Sequence, residues 1–299
     1  MSILVVGSIA LDTVETPHGK ADDALGGSAL FFSTAASFFS PVNMVGVVGD
    51  DFNFADVEFL KNRNVDFSGV VTESGETFRW GGKYHKNINL RDTLFTDLNV
   101  FQDFKPTIPE HYRNSELIFL ANIDPDLQLD VLDQINKPRI SVLDTMNFWI
   151  SSKRDSLMRL LRQVDILILN DEELIQLTEK HNLYDGASDI LKEGPKAVVI
   201  KKGEHGAVLV SANGYFLAPA YPVKRVIDPT GAGDSFAGGF MGFLSTCEEI
   251  NHQTLRQAVV YGSVAASFTV EDFSFDRLKN ISLGEIKERV NSIREMTSF

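Results

Sequence analysis

Asp234 stands directly behind Gly231-Ala232-Gly233 and directly ahead of an apolar run rich in Gly and Ala, within RVIDPTGAGDSFAGGFMGFL, Arg225 to Leu244. Glycines at 231 and 233 permit positive φ and close backbone approach. Successive N–H groups in such a loop, feeding a helix N-terminus, form an anion site that suits phosphate. Asp234 falls in the first turn of the expected helix, where the dipole favours its ionised form. A carboxylate beside a phosphate cradle is poorly placed for binding alone. It suits the removal of a proton from a hydroxyl that attacks the phosphate. The structural alternative is an N-cap after a glycine turn. In the run Ala237, Gly238, Gly239 and Gly242 the glycines lower helix propensity, so close packing against a sheet is the expected reason for them.

Other chemistry-bearing residues recur in one setting. Short β-branched or apolar runs each stop at a polar or Gly-containing loop: Gly7 leading to Asp12, Gly49-Asp50-Asp51, Asn122, Asp144, Asn170, Lys202-Gly203 and Asp228. Runs of this kind read as buried strands, and EELIQLTEKH and LGEIKERVNSIREM between or after them have helical spacing. Alternating strands and helices imply an α/β fold with a mostly parallel sheet covered on both faces. Ligands of such sheets sit outside the strand carboxyl ends, where these polar residues fall.

Two regions break the alternation. Val65 to Val100 contains ETFRWGGKY and RDTLFTDLNV, which read as short strands of a small inserted lid sheet. AVVIKKGEHGAVLVSANGYFLAPA reads as an antiparallel meander with turns at 203–206 and at Asn213-Gly214.

Composition sets outer limits. The 299 residues are 43% hydrophobic and carry a net charge of -13. This argues against nucleic acid or an anionic membrane surface as partner, since both need clustered cations. One cysteine, Cys247, excludes an internal disulfide and fits a reducing compartment. The start MSILVVGSIALD lacks a basic n-region, and no apolar run approaches a membrane span. The expectation is a soluble cytoplasmic protein. No G-x-x-x-x-G-K-[ST], H-E-x-x-H or G-x-G-x-x-G after the first strand is present, and the six histidines lack metal-ligand spacing.

DPTGAGDSFAGGF resembles the C-terminal signature of the ribokinase-like sugar kinases, the phosphofructokinase B family. VGVVGDDF with FLKNRNVDFSGVV, GGSALFFSTAASF, LNDEE and KKGEHGAVL resemble further elements of that family in the same order, from Ile3 to about Val270. The resemblance implies a single ribokinase-like domain over 1–299, with a lid inserted around 65–100 and contributed to near 10–20. It implies an ATP- and Mg2+-dependent kinase acting on a hydroxyl of a small carbohydrate. It makes Asp234 the base and Gly231, Ala232 and Gly233 the anion hole. Thr230 would touch the nucleotide phosphates, and Asp228 with Thr230 would lie on a loop that binds a monovalent cation such as K+ in some members. Asn170 and Glu173 would organise phosphate and Mg2+ through water, and Lys202, Gly203 and Gly206 would border the nucleotide. Asp12, Gly26 and Gly27 would hold the acceptor, with Asp144 and Asn147 on the same edge.

Structural alternatives exist for several of these. Asp12 can cap a turn, Glu173 can serve the helix dipole, and Lys201 and Lys202 can be solvated strand ends. FFSTAASFF reads mostly as helix core. Arg79, Trp80 and Lys83 are either substrate contacts on the lid or an exposed strand face. The sequence departs from the family at Phe31, where members usually carry an Asn aimed at the acceptor, and at TVEDFSFD, Thr269 to Asp276. Phe31 is therefore expected to wall the acceptor site. A nucleoside kinase of the same fold and a non-catalytic nucleotide- or sugar-binding protein remain open, as does a homodimer through the lid, whose open edges need cover.

Overall fold

The computed structural model describes residues 1–298. A fully buried strand, β1 (Ile3–Val6), leads into a hairpin of β2 (Ala10–Thr16) and β3 (Gly19–Gly26). Helix α1 (Ser28–Ala36), strand β4 (Val42–Val48), the single turn α2 (Glu58–Lys61) and strand β5 (Val65–Thr72) follow. A second hairpin pairs β6 (Phe78–Tyr84) with β7 (Arg91–Asp97). Alternation then takes over through β8 (Leu117–Leu120), α3 (Pro125–Gln134), β9 (Ile140–Asp144), α4 (Asn147–Ser152), α5 (Arg154–Leu161), β10 (Ile166–Asn170), α6 (Asp171–Thr178) and α7 (Leu183–Glu193). The meander is β11 (Ala197–Lys201), β12 (Ala207–Ser211) and β13 (Gly214–Ala218). Helices α8 (Ala232–Ser245), α9 (His252–Thr269), α10 (Asp276–Lys279) and α11 (Leu283–Thr297) complete the chain.

The main sheet has nine strands in the order β13-β12-β11-β10-β9-β8-β1-β4-β5. All neighbours pair in parallel except β11 with β12 and β12 with β13. Its inner strands are largely apolar up to their polar ends because helices cover both faces. Alternate residues serve alternate faces. Ile3 and Val5 join the core packed with α1, α8 and α9, whereas Leu4 and Val6 join the core packed with α3, α5, α6 and α7. The carboxyl ends of β1, β4, β8, β9, β10 and β11 therefore share one edge.

The second sheet, ordered β3-β2-β6-β7, is the lid. Its central pair β2–β6 is parallel and its outer pairs are antiparallel. The expected insertion began at 65, but β5 belongs to the main sheet, in register with β4 from Val42↔Val65 to Val48↔Thr72. Burial of Val65 and Tyr112 against that strand explains why VDFSGVV holds to the main layer. The lid strands are 10–26 and 78–97.

The small residues of α8 face helices rather than the sheet. A Cβ at Gly238 would meet the Phe32 carbonyl of α1, one at Gly239 the Tyr261 carbonyl of α9, and one at Gly242 the Phe39 ring. The helix is clamped between two neighbours, and this fixes its N-terminus at the sheet edge.

Candidate active site

Gly231 precedes α8 at φ 72°, in the left-handed region, with the Phe31 ring directly beneath it. Any side chain there would be strained and would also collide. Gly233 is required for a different reason. It is helical, and a Cβ on it would stand 2.9 Å from the Lys201 ammonium. The N–H of Ala232 donates to the Pro229 carbonyl (3.2 Å). Gly231, Ala232 and Gly233, expected as the anion hole, together form the entry into α8, where first-turn N–H groups lack intrahelical partners.

Asp234 follows in the first turn, half-buried. Burial, then the nearby Asp144, push its pKa up to about 7, against the pull of Lys201. Three consecutive strand ends supply its neighbours. Asp144 closes β9, Asn170 closes β10 and Lys201 closes β11, with Ile168 in register with Asp144 and Asn170 with Lys201. Lys201 Nζ pairs with Asp144 Oδ1 at 3.3 Å, both side chains largely buried. Burial opposes the lysine's charge, but Asp144, Glu173 and Asp234 more than offset it and raise its pKa. Lys201 is the one cation in this group of carboxylates. The sequence reading set it aside as a solvated strand end, and the only signal for it was its place at the same edge as Asp144 and Asn170.

Asn170 and Glu173 form a reciprocal cap on α6. Asn170 Oδ1 accepts the Glu173 N–H and Glu173 Oε2 accepts the Asn170 N–H, each at 2.8 Å. Glu173 is 6% exposed, and burial pushes its pKa up to about 7. Among the described residues no three His, Cys, Asp or Glu side chains gather closely enough to ligate a metal directly. The donor set nevertheless fits a hydrated Mg2+. Glu173 is a hard oxygen ligand, short of positive charge, with one oxygen outside the cap.

Asp12 lies on β2 where β3 meets it. A Cβ at Gly26 would land on its carboxylate, and the Gly27 N–H donates to it. Burial first, then Asp228 and Asp234, push its pKa up to about 8. Asp12, Gly26 and Gly27 are therefore brought together beside Asp234. Asp228 is 1% exposed and accepts from the Thr230 N–H (2.9 Å) and the Ser274 N–H (3.3 Å). Burial raises its pKa against those two donors. The divergent segment after α9 thus braces the signature loop, with Ile227 N–H also bonded to the Val270 carbonyl (2.7 Å). Thr230 Oγ1 meets the Tyr84 hydroxyl of the lid at 3.2 Å. Tyr84 was missed in the sequence because its alternation with Lys83 and His85 reads like any strand.

Other expected residues are placed elsewhere or differently. Phe31 is 1% exposed, edge-on to Phe275 at 5.5 Å and under Gly231, so it supports the loop and offers no wall to an acceptor. Its apolar ring fills core space because α1 is buried on every side. Asn147 is exposed and hydrogen-bonds Gln176 at 2.7 Å. Lys202, Gly203 and Gly206 form the tight β11–β12 turn, closed by Lys202 N–H to the Gly206 carbonyl at 2.8 Å. Arg79 pairs with Asp23 and with Asp51 (2.7 Å), Lys83 pairs with Glu15 (3.0 Å), and Arg91 covers the Trp80 ring at 4.9 Å. Gly81 and Gly82 lie under the Phe95 and Trp80 rings, a packing need rather than a hinge. A cavity of about 550 Å³ along edge strand β5, between Lys61 and Ser68, contains none of the site residues.

A doubly covered parallel sheet, a small sheet folded over its carboxyl edge and an acid behind a glycine loop define a ribokinase-like phosphotransferase. The family model for the pfkB family carbohydrate kinases matches residues 20–277, and the chain belongs to that family. It is 30% identical over 247 residues to a cytidine kinase of Thermococcus kodakarensis, covering 81% of this chain and 87% of that one. The crystal structure of a Methanocaldococcus jannaschii nucleoside kinase is similar with a TM-score of 0.78 and 21% identity, over 97% of this chain and 98% of that one. A candidate ribokinase II of E. coli in complex with ATP and Mg2+ is similar with a TM-score of 0.79 and 19% identity, over 97% and 99%.

Proposed function

We propose that the protein is an ATP-dependent kinase that phosphorylates a hydroxyl of a nucleoside. The observation that carries the chemistry is Asp234, its pKa raised to about 7 at the mouth of a glycine-lined helix N-terminus. A base poised near neutrality serves proton abstraction best. Asp12, backed by Gly26 and Gly27, holds the acceptor's hydroxyls. Asp234 takes the proton of the attacking hydroxyl. The acceptor's hydroxyl oxygen forms the new bond to the γ-phosphorus as the bond to the β-phosphate oxygen breaks, and ADP leaves. Loop N–H groups and the Lys201 ammonium answer the negative charge spread over the transferring oxygens. Mg2+, when bound, neutralises phosphate charge, and Glu173 with Asn170 would hold it through water. A monovalent cation beside Asp228 would relieve the crowding of Asp12, Asp228 and Asp234.

Preference for a nucleoside over a free sugar rests on the similarity to a cytidine kinase over 81% of the chain, not on Phe31, which is buried. ADP release with ATP, Mg2+ and a panel of cytidine, other nucleosides, ribose and fructose tests it. The expected result is a kcat/KM at least about tenfold higher for a nucleoside than for either sugar. Higher values for a sugar would return the reading to a sugar kinase, and no ADP with any acceptor would leave a binding protein.

A further inference from the structure

Away from Asp234, a cavity of about 470 Å³ opens between the lid hairpin tips and the body. It is lined by Pro17 and His18 of the β2–β3 turn, Lys86 and Ile88 of the β6–β7 turn, and Lys224, Arg225 and Val226. Four of these seven residues are basic and none is acidic, in a chain of net charge -13. Elsewhere on the lid, basic side chains have acidic partners: Lys20 with Asp22, Arg79 with Asp23 and Asp51, Lys83 with Glu15, His85 with Asp92. Arg91 instead stacks on Trp80. Among the described residues, Lys86, Lys224 and Arg225 have no carboxylate within ion-pair distance. Like charges drawn from two separate segments, Lys86 on the lid and Lys224 with Arg225 on the body, repel one another across one concavity unless an anion joins them. Pro17, Ile88 and Val226 supply apolar walls that strengthen such an attraction, and the volume suits a small ligand.

We propose that this cavity is a phosphate site, in which Lys86, Lys224, Arg225 and His18 hold the phosphate or polyphosphate group of a small molecule across the seam between lid and body. The chain runs from Arg225 directly into Val226, Ile227 and Asp228, so an occupant would also tie the lid to the segment that leads into the signature loop. Two sources share this chemistry: the polyphosphate of the nucleotide donor, and a phosphate group on a separate ligand. Neither depends on which acceptor is phosphorylated.

The probe is inorganic tripolyphosphate, titrated calorimetrically at low salt into the full chain. The proteins compared are the wild type, Lys86→Ser, Lys224→Ser/Arg225→Ser, and Lys137→Ser/Lys287→Ser as a control for general surface charge. Folding of each is checked by its Tm. Saturable binding is expected, weakened about tenfold or more by either cavity variant and little by the control. If ATP displaces the probe and the cavity variants raise the KM for ATP, the donor polyphosphate is the occupant. If the probe still binds the ATP-loaded protein and that KM is unchanged, a separate phosphorylated ligand is. Absence of binding to the wild type, or equal weakening by the cavity and control variants, overturns the proposal. ADP release by the wild type is recorded separately, so failure of the kinase reading is distinguishable from failure of this one.

Discussion

Asp234 and Lys201 act on one another through charge, and this gives the site its pH behaviour. The Asp234 carboxyl holds its proton below about pH 7 and is a competent base above it. kcat/KM should therefore rise about tenfold per pH unit on the acid side and level off near pH 7. Lys201 pulls that pKa down, so Lys201→Met should displace the rise to higher pH by about one unit as well as lower the plateau. A pH–rate profile of both proteins is the check. A variant with a lower plateau but an unmoved profile would make Lys201 a merely structural partner of Asp144. Glu173, raised for the same reason, is held by its cap with Asn170. The motif LNDEE therefore combines a helix cap with a carboxylate at the phosphate edge, and the two readings of Glu173 are compatible.

The lid is tied to the signature loop and to the segment after α9 by two hydrogen bonds. Tyr84 on β6 reaches Thr230 in the signature loop, and the Ser274 hydroxyl reaches the Leu25 carbonyl on β3. The lid's base is pinned by Thr77, whose N–H and hydroxyl both donate to Asp51 (2.7 and 2.6 Å) while Gly49 donates to the Thr77 hydroxyl (3.0 Å). Tyr84→Phe removes one hydrogen bond, worth about 0.5–1.5 kcal/mol. Amide exchange over 78–97 should speed up by up to about tenfold in that variant, and should slow in the wild type when acceptor binds. Unchanged protection with acceptor demonstrably bound would sink the gating role. The βα alternation and the meander were legible because their strands are uniformly apolar and end at polar loops. The lid's lower limit was not, since VDFSGVV has the same composition whether it pairs with β4 or with the lid. Of the two expectations for Phe31, its burial fits helix core rather than an acceptor wall, because a motif position specifies neither burial nor the side chain's direction.

At the scale of the whole molecule, Asp144, Glu173 and Asp234 surround Lys201 while Asp12 and Asp228 crowd together beside Asp234, and the arrangement opposes stability. Asp12 has a folded pKa of about 8, above its unfolded value. Its contribution is most favourable below about pH 4 and is lost as pH rises towards 8, as the buried group ionises beside Asp228 and Asp234. Asp12→Asn should therefore raise Tm by a few °C at pH 8, on the order of 1–3 kcal/mol, and by much less at pH 5, while weakening acceptor binding. Equal Tm changes at both pH values would mean that charge crowding is not the cause. Such crowding would be relieved by bound cations, which would bring the missing positive charge. The general-base role of Asp234 is tested most directly by Asp234→Asn, which keeps the shape of the side chain and cannot accept the proton. ADP release with the best acceptor and ATP affinity are measured on the same preparation. Turnover is expected to fall by about 10²–10⁴ while ATP affinity stays within about threefold of wild type. A variant retaining more than about a tenth of wild-type turnover would show that Asp234 is not the general base.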